Sequence, residues 1–297
     1  MFQRLQTLWQ IIKAAFIKWD ADNVPRLGAA LAYYTLFALA PILIVVIGVA
    51  GLLFGQEAAR GEVVNQINGL IGQSGAEAVQ SMLAATSKPE QSIIAAVIGM
   101  ITFFLGATSA FFALQGSLNS IWNVKGPLNH VVRGYIRGRL LSFGMVMAIG
   151  FLLLVSLATS AALAALGHFM QSRLPAGTAL WQAVNSLISF GFTTLLFAMI
   201  YKVLPDVELA WRDVWVGAAF TAFFFTIGKL IIGLYLGRST IGSTYGAAGS
   251  VVIIMLWVYY SSQIMLFGAE FTYAYVKQHG SRAGGNPHAP PAVVERV

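Results

Sequence analysis

The sequence predicts an all-α, polytopic membrane protein: six transmembrane helices, an N-terminal interfacial helix and short amphipathic helices on the external side. Three observations carry this. Hydrophobic residues make up 58% of the 297 and charged residues only 10%, against about 25% charged in a soluble domain, so lipid must solvate much of the surface. Charge-free runs recur along the chain, and the last, from Ser239 to Ala269, exceeds the roughly 20 residues a helix needs to cross a bilayer. The formal net charge of +7 comes from basic residues lying between those runs. In a soluble chain such a balance would suggest nucleic acid. In this setting it points to anionic lipid headgroups at the cytoplasmic face, and no nucleic-acid partner is expected. With no cysteine in the chain, disulfides and thiolate metal sites are excluded.

Residues 1–25 form the first unit. Leu5, Leu8, Trp9, Ile12, Phe16 and Trp19 recur at helical spacing, with Arg4, Gln6, Gln10, Lys13 and Lys18 as a polar, basic face. This reads as a helix lying on an anionic leaflet, with Lys13 and Lys18 as lipid contacts. The alternative is the same helix packed on the protein itself. A signal peptide is not expected, because Lys13 and Lys18 interrupt the segment where an apolar core should run.

Residues 26–277 form the transmembrane domain. The first span is about 28–54, with a kink expected at Pro41, which frees the carbonyl of Phe37. The polar connection 55–90 holds two short amphipathic helices, one on Val63, Val64, Ile67, Leu70 and Ile71, the other on Val79, Met82 and Leu83. Ser74 with Glu77, and Ser87 with Glu90, have capping-box spacing. The second span is about 93–114. It leaves the bilayer where the run turns polar at Gln115, Ser117, Asn119 and Asn123. The remaining spans are about 140–166, 180–203, 214–236 and 249–275. Small residues from Gly246 to Gly249 open the last one and permit close helix approach. Residues 278–297, rich in Gly, Pro and Ala, form a cytoplasmic tail expected to be disordered.

Orientation follows from Lys and Arg. The N-terminal segment, the 115–139 loop, the connection before the fifth span and the tail together carry thirteen. The opposite side carries four: Arg60, Lys88, Arg173 and Arg238. Lys229 lies inside the fifth span. Both termini are therefore expected in the cytoplasm.

The chain offers little for catalysis. The four histidines, His130, His168, His279 and His288, show no HxH or HxxxH spacing. There is no nucleophile elbow and no phosphate-binding GxxxxGK[ST]. No enzyme activity, cofactor or metal is expected. GxxxG pairs such as Gly51/Gly55 and Gly233/Gly237 read as helix packing. Arg133, Arg137 and Arg139 could hold anionic lipid, or could serve only to set the topology.

Ionisable groups inside spans are costly and mark the candidate site. Glu270 lies in the sixth span and Lys229 in the fifth, with Gln263 on the same helix as Glu270. Side chains lean toward their helix N-terminus. The two charges thus lean toward the midplane from opposite sides, to meet directly or across water or a ligand. Arg26 is the alternative partner for Glu270. A buried structural ion pair and a hydrated site in which Glu270 takes a proton or cation both fit this pattern.

Several stretches resemble the YihY/BrkB family of bacterial inner-membrane proteins: Arg26-x-Gly-Ala-Ala-Leu-Ala-Tyr33-Tyr34 running into Ala40-Pro41, Tyr201-x-x-Leu204-Pro205, and Trp211-x-Asp213-Val214 followed by Gly217-Ala218. So do Lys229 before Tyr235, Tyr245-Gly246, Leu256-Trp257-x-Tyr259 and Gly268-Ala269-Glu270. The resemblance covers about residues 10–277. It implies a six-helix, multi-pass protein of the bacterial inner membrane. Some members are labelled virulence or serum-resistance factors, and some ribonuclease BN. The chain holds no constellation for RNA hydrolysis, so the ribonuclease label is not carried over. The function expected is that of a transporter or lipid-handling protein with an intramembrane polar site; the alternative is a non-transporting envelope or interaction protein. Substrate, coupling ion and oligomeric state are not encoded in any recognisable motif.

Overall fold

The computed structural model describes residues 2–61, 93–124, 178–207, 209–238 and 249–279, with scattered helical positions between 63 and 80. Six long helices account for nearly all of them: α1 (Phe2–Ala21), α2 (Val24–Phe54), α3 (Ile93–Ile121), α4 (Thr178–Val203), α5 (Trp211–Arg238) and α6 (Gly249–His279). Among the described residues there is no strand. Among those residues three helical stretches are long and apolar enough to cross a membrane: Ser186–Val203, Trp211–Tyr235 and Val251–His279; Val24–Leu39 is a shorter apolar helix. The expected third span at 140–166, Arg133, Arg137 and Arg139, most of the 55–90 connection and the tail from 280 lie outside the described residues.

α1 and α2 are separated only by Asp22 and Asn23. Asn23 turns the chain with φ 52°, a left-handed conformation that Asn tolerates better than most residues. Pro25 follows in the first turn of α2, where its missing N–H costs nothing. α2 then runs unbroken through Pro41. The Phe37 carbonyl, which Pro41 cannot bond, faces α3 at Gly106, where an added Cβ would stand 3.1 Å from that oxygen. α3 ends at a second left-handed Asn, Asn123 with φ 53°.

The polar residues at the end of α3 have a specific partner. Asn119 Nδ2 donates to Asp206 Oδ2 at 2.8 Å, and Asp206 N donates back to Asn119 Oδ1 at 2.9 Å. Gln115 Nε2 lies 3.4 Å from both Asp206 carboxylate oxygens. The bend after α4 is thereby clasped to the end of α3.

α6 is the central element, touching α1, α2, α3 and α5. It meets α5 through two matched notches. Thr272 fills the space at Gly217, where a Cβ would lie 1.8 Å from Thr272 Oγ1; Thr221 fills the space at Gly268, with Oγ1 1.9 Å from a built Cβ. Each threonine stands four residues after a glycine on its own helix and donates to that glycine's carbonyl, Thr221 to Gly217 at 2.8 Å and Thr272 to Gly268 at 2.7 Å. The two hydroxyls therefore satisfy themselves while closing the helices together. Tyr201 of α4 joins the seam: its Oη donates to Met265 O at 2.6 Å and lies 2.9 Å from Thr221 Oγ1. Phe220 and Phe271 stack beside it with centroids 3.8 Å apart.

Candidate functional site

α1 packs on the bundle along a stripe of Ile11, Ala15 and Lys18, spaced four and three residues apart. Ile11 and Ala15 are buried with Phe271 and Ala274 of α6. Their stripe continues to Lys18, whose stem follows the apolar face and carries the ammonium into the bundle. Trp9, Phe16 and Lys13 stay on the exposed side.

The Lys18 ammonium is surrounded. It donates to Ile121 O, in the last residue of α3, at 2.9 Å. It pairs with Asp22 one turn on. It stands 3.5 Å from Glu270 Oε2 and 4.6 Å from the centroid of the Tyr273 ring. Trp122 closes the group, meeting Tyr273 edge-on at 5.4 Å.

Glu270 is the unusual member. It is 0% exposed, and neither carboxylate oxygen has a hydrogen-bond partner. Its contact with Lys18 is thus one of charge proximity without a formed hydrogen bond. A buried polar group left unsatisfied costs on the order of 1–3 kcal/mol and more when charged. Trp122 Nε1 and Gln263 Oε1 are also buried without partners.

The other expected site residues are spread out. The α5–α6 seam sets the level: Glu270 lies between Gly268 and Thr272, opposite Gly217 and Thr221, whereas Gly228 lies against Tyr260 and Ile264. Lys229 is therefore about ten residues, roughly 15 Å, further along α5 from Glu270. It is half-buried. The cation beside Glu270 is Lys18 and not Lys229. Arg26 is exposed and forms no ion pair among the described residues. Gln263 lies two turns from Glu270; its Nε2 reaches Val24 O at 3.3 Å and fills the notch at Gly28, 2.1 Å from a built Cβ. It fastens α6 to α2.

By sequence Lys18 goes with Lys13, because both read as outward charges on an interfacial helix. The structure separates them: Lys13 faces outward and Lys18 turns inward, since Lys18 falls seven residues after Ile11 and shares its face. The i, i+4 relation of Lys18 to Asp22 was the sequence signal available, and it marks an ion pair without revealing Glu270 behind it.

Fold and site together define a helical membrane protein in which a buried carboxylate on the central helix meets a cation from an N-terminal helix. The chain belongs to the virulence factor BrkB family, whose profile matches residues 15–293 and so takes in Lys18, Asp22 and Glu270. Its relatives include UPF0761 membrane proteins. That of Acinetobacter baylyi is 27% identical over 93% of this chain and 64% of its own length. One from Pseudomonas aeruginosa is 28% identical over 85% of this chain and 59% of its own, and one from Ralstonia nicotianae 26% over 84% and 54%. The chain thus spans only about three fifths of the length of these relatives. Their names describe membrane proteins and give no activity. No solved structure matches the chain.

Proposed function

We propose that the chain is a transporter or a lipid- or amphiphile-handling protein of the bacterial inner membrane, without enzymatic activity, and that Glu270 is its working polar group. One observation carries this reading: Glu270 is fully buried on an apolar helix, with both oxygens free of hydrogen bonds. A membrane span gains nothing in stability from such a group, and intramembrane carboxylates of this kind are a common basis for binding a proton or cation. The reading includes residues 26–277 as one six-helix domain with both ends cytoplasmic. Anionic headgroups are the partners at that face, met by Lys13 among the exposed Trp9 and Phe16 and by Arg133, Arg137 and Arg139.

The test is Glu270→Gln, which keeps the shape of the side chain and removes its ability to ionise. The expected outcome is a protein that inserts and accumulates as the wild type does but no longer complements a strain lacking the gene. Full complementation would sink the proposal.

A second reading is favoured by the position of Lys18: a structural pair with Glu270 that locks α1 onto a non-transporting envelope protein. In that case Glu270→Gln loses activity only in proportion to lost accumulation.

A further inference from the structure

The surroundings of Lys18 make up a receptor for a primary ammonium, and Lys18 is its built-in occupant. We infer that the group formed by Glu270, Asp22, Ile121 O and Tyr273 is a binding site for the primary ammonium of a ligand, whose head takes the place of Lys18 Nζ. The inference rests on the reading of Glu270 as a ligand-binding group and adds the chemical class of what it binds.

Four contacts define the receptor. Ile121 O accepts from the ammonium at 2.9 Å. Asp22 pairs with it from the turn between α1 and α2. Glu270 Oε2 stands at 3.5 Å, and the Tyr273 ring faces it at 4.6 Å. A carbonyl, two carboxylates and an aromatic face are the parts from which ammonium sites are made. The orphaned oxygens of Glu270 are the second observation: the built-in cation leaves the deepest acceptor without a hydrogen bond, and an untethered ammonium can move closer to it. Lys18 has a route out, being 19% exposed and Asp22 20%.

The geometry also gives selectivity. A primary ammonium has three N–H donors for Ile121 O, Asp22 and Glu270. A quaternary ammonium has none, so it keeps only the ring contact and the charge. An alkali ion can take the oxygens but brings no apolar stem to replace that of the lysine side chain. The ammonium can arrive on a free amine or on a phosphatidylethanolamine headgroup.

The experiment uses the full chain carrying Lys18→Ala, purified in detergent, with thermal unfolding followed as salts are added. Lys18→Ala should lower the melting temperature, and ethylammonium should recover most of that loss, while tetramethylammonium and sodium at equal ionic strength should not. Short-chain phosphatidylethanolamine is compared with the matching phosphatidylcholine. Recovery by phosphatidylethanolamine at lower concentration than by ethylammonium assigns the lipid source; recovery by ethylammonium alone assigns the free amine. Recovery by neither, or equal recovery by the quaternary or sodium controls, overturns the inference. If Lys18→Ala does not accumulate, Lys18→Gln, which keeps part of the stem and removes the charge, replaces it. In parallel, amide exchange of residues 15–22 in the wild type should rise in ethylammonium over tetramethylammonium as Lys18 is displaced, and equal exchange counts against the inference. Loss of function in Glu270→Gln without ammonium recovery in the Lys18 variants leaves Glu270 as the working group and removes only the ammonium class.

Discussion

Lys18 and Glu270 are individually unremarkable residues whose meaning comes from each other. Removing one member of a buried pair leaves the other uncompensated, at a cost of about 3–5 kcal/mol in soluble proteins, whereas replacing both is often close to neutral. The figure is smaller here, since Lys18 is one-fifth exposed and Glu270 accepts no hydrogen bond from it. Lys18→Met should therefore be clearly destabilised, and Lys18→Met combined with Glu270→Gln should regain much of the loss. A double-mutant cycle on thermal unfolding measures the coupling. Strict additivity would mean that the two side chains do not interact. Asp22 shares the ammonium, so Asp22→Asn should weaken the docking of α1 by less than Lys18→Met does.

At the scale of helices, the closest seam joins α5 and α6, where Gly217 and Gly268 each receive a threonine from the other helix. Overpacking a well-filled core costs about 1–3 kcal/mol. Gly268→Ala should reach or exceed that range, because the new methyl meets Thr221 Oγ1 at 1.9 Å and the Tyr201 hydroxyl at 2.6 Å. Both are fixed by hydrogen bonds that the change would break. Gly217→Ala should behave alike, and Thr272→Ala in the same chain should rescue it only in part, since the Thr272 Cβ itself lies 2.7 Å from the new methyl. Gly28→Ala is the control. It strikes the far end of the Gln263 side chain, which can swing aside for the loss of one 3.3 Å hydrogen bond. Melting temperatures of the three variants should place Gly28→Ala nearest the wild type. The Gly-x-x-x-Thr spacing was present in the sequence. That spacing alone carries no packing signal, because a threonine in an apolar run reads as a neutral helix residue until its partner notch is seen.

For the molecule as a whole, the imbalance of Lys and Arg predicts reporter fusions at residues 70 and 170 to be external and those at 130 and 208 to be cytoplasmic. A cytoplasmic signal at 70 would overturn the six-span arrangement. The helical character of the described segments and the membrane setting were legible in the sequence, because each depends on local quantities: the length of a charge-free run, helical periodicity and the positions of breakers such as Pro25 and Pro205. The second apolar helix ran further than its apolar run did, from Gln115 to Ile121, where Asp206 supplies hydrogen-bond partners to Gln115 and Asn119. The sequence also marked Glu270 as the costly residue, since one carboxylate in an apolar helix is conspicuous without any neighbour. It did not determine which cation stands beside it. Lys18 is separated from Glu270 by almost the whole chain, and its inward turn depends on the angle at which α1 lies on α6. Only the tertiary structure decides that, because the chain's own periodicity fixes where a side chain points around its helix and says nothing of which helix is waiting there.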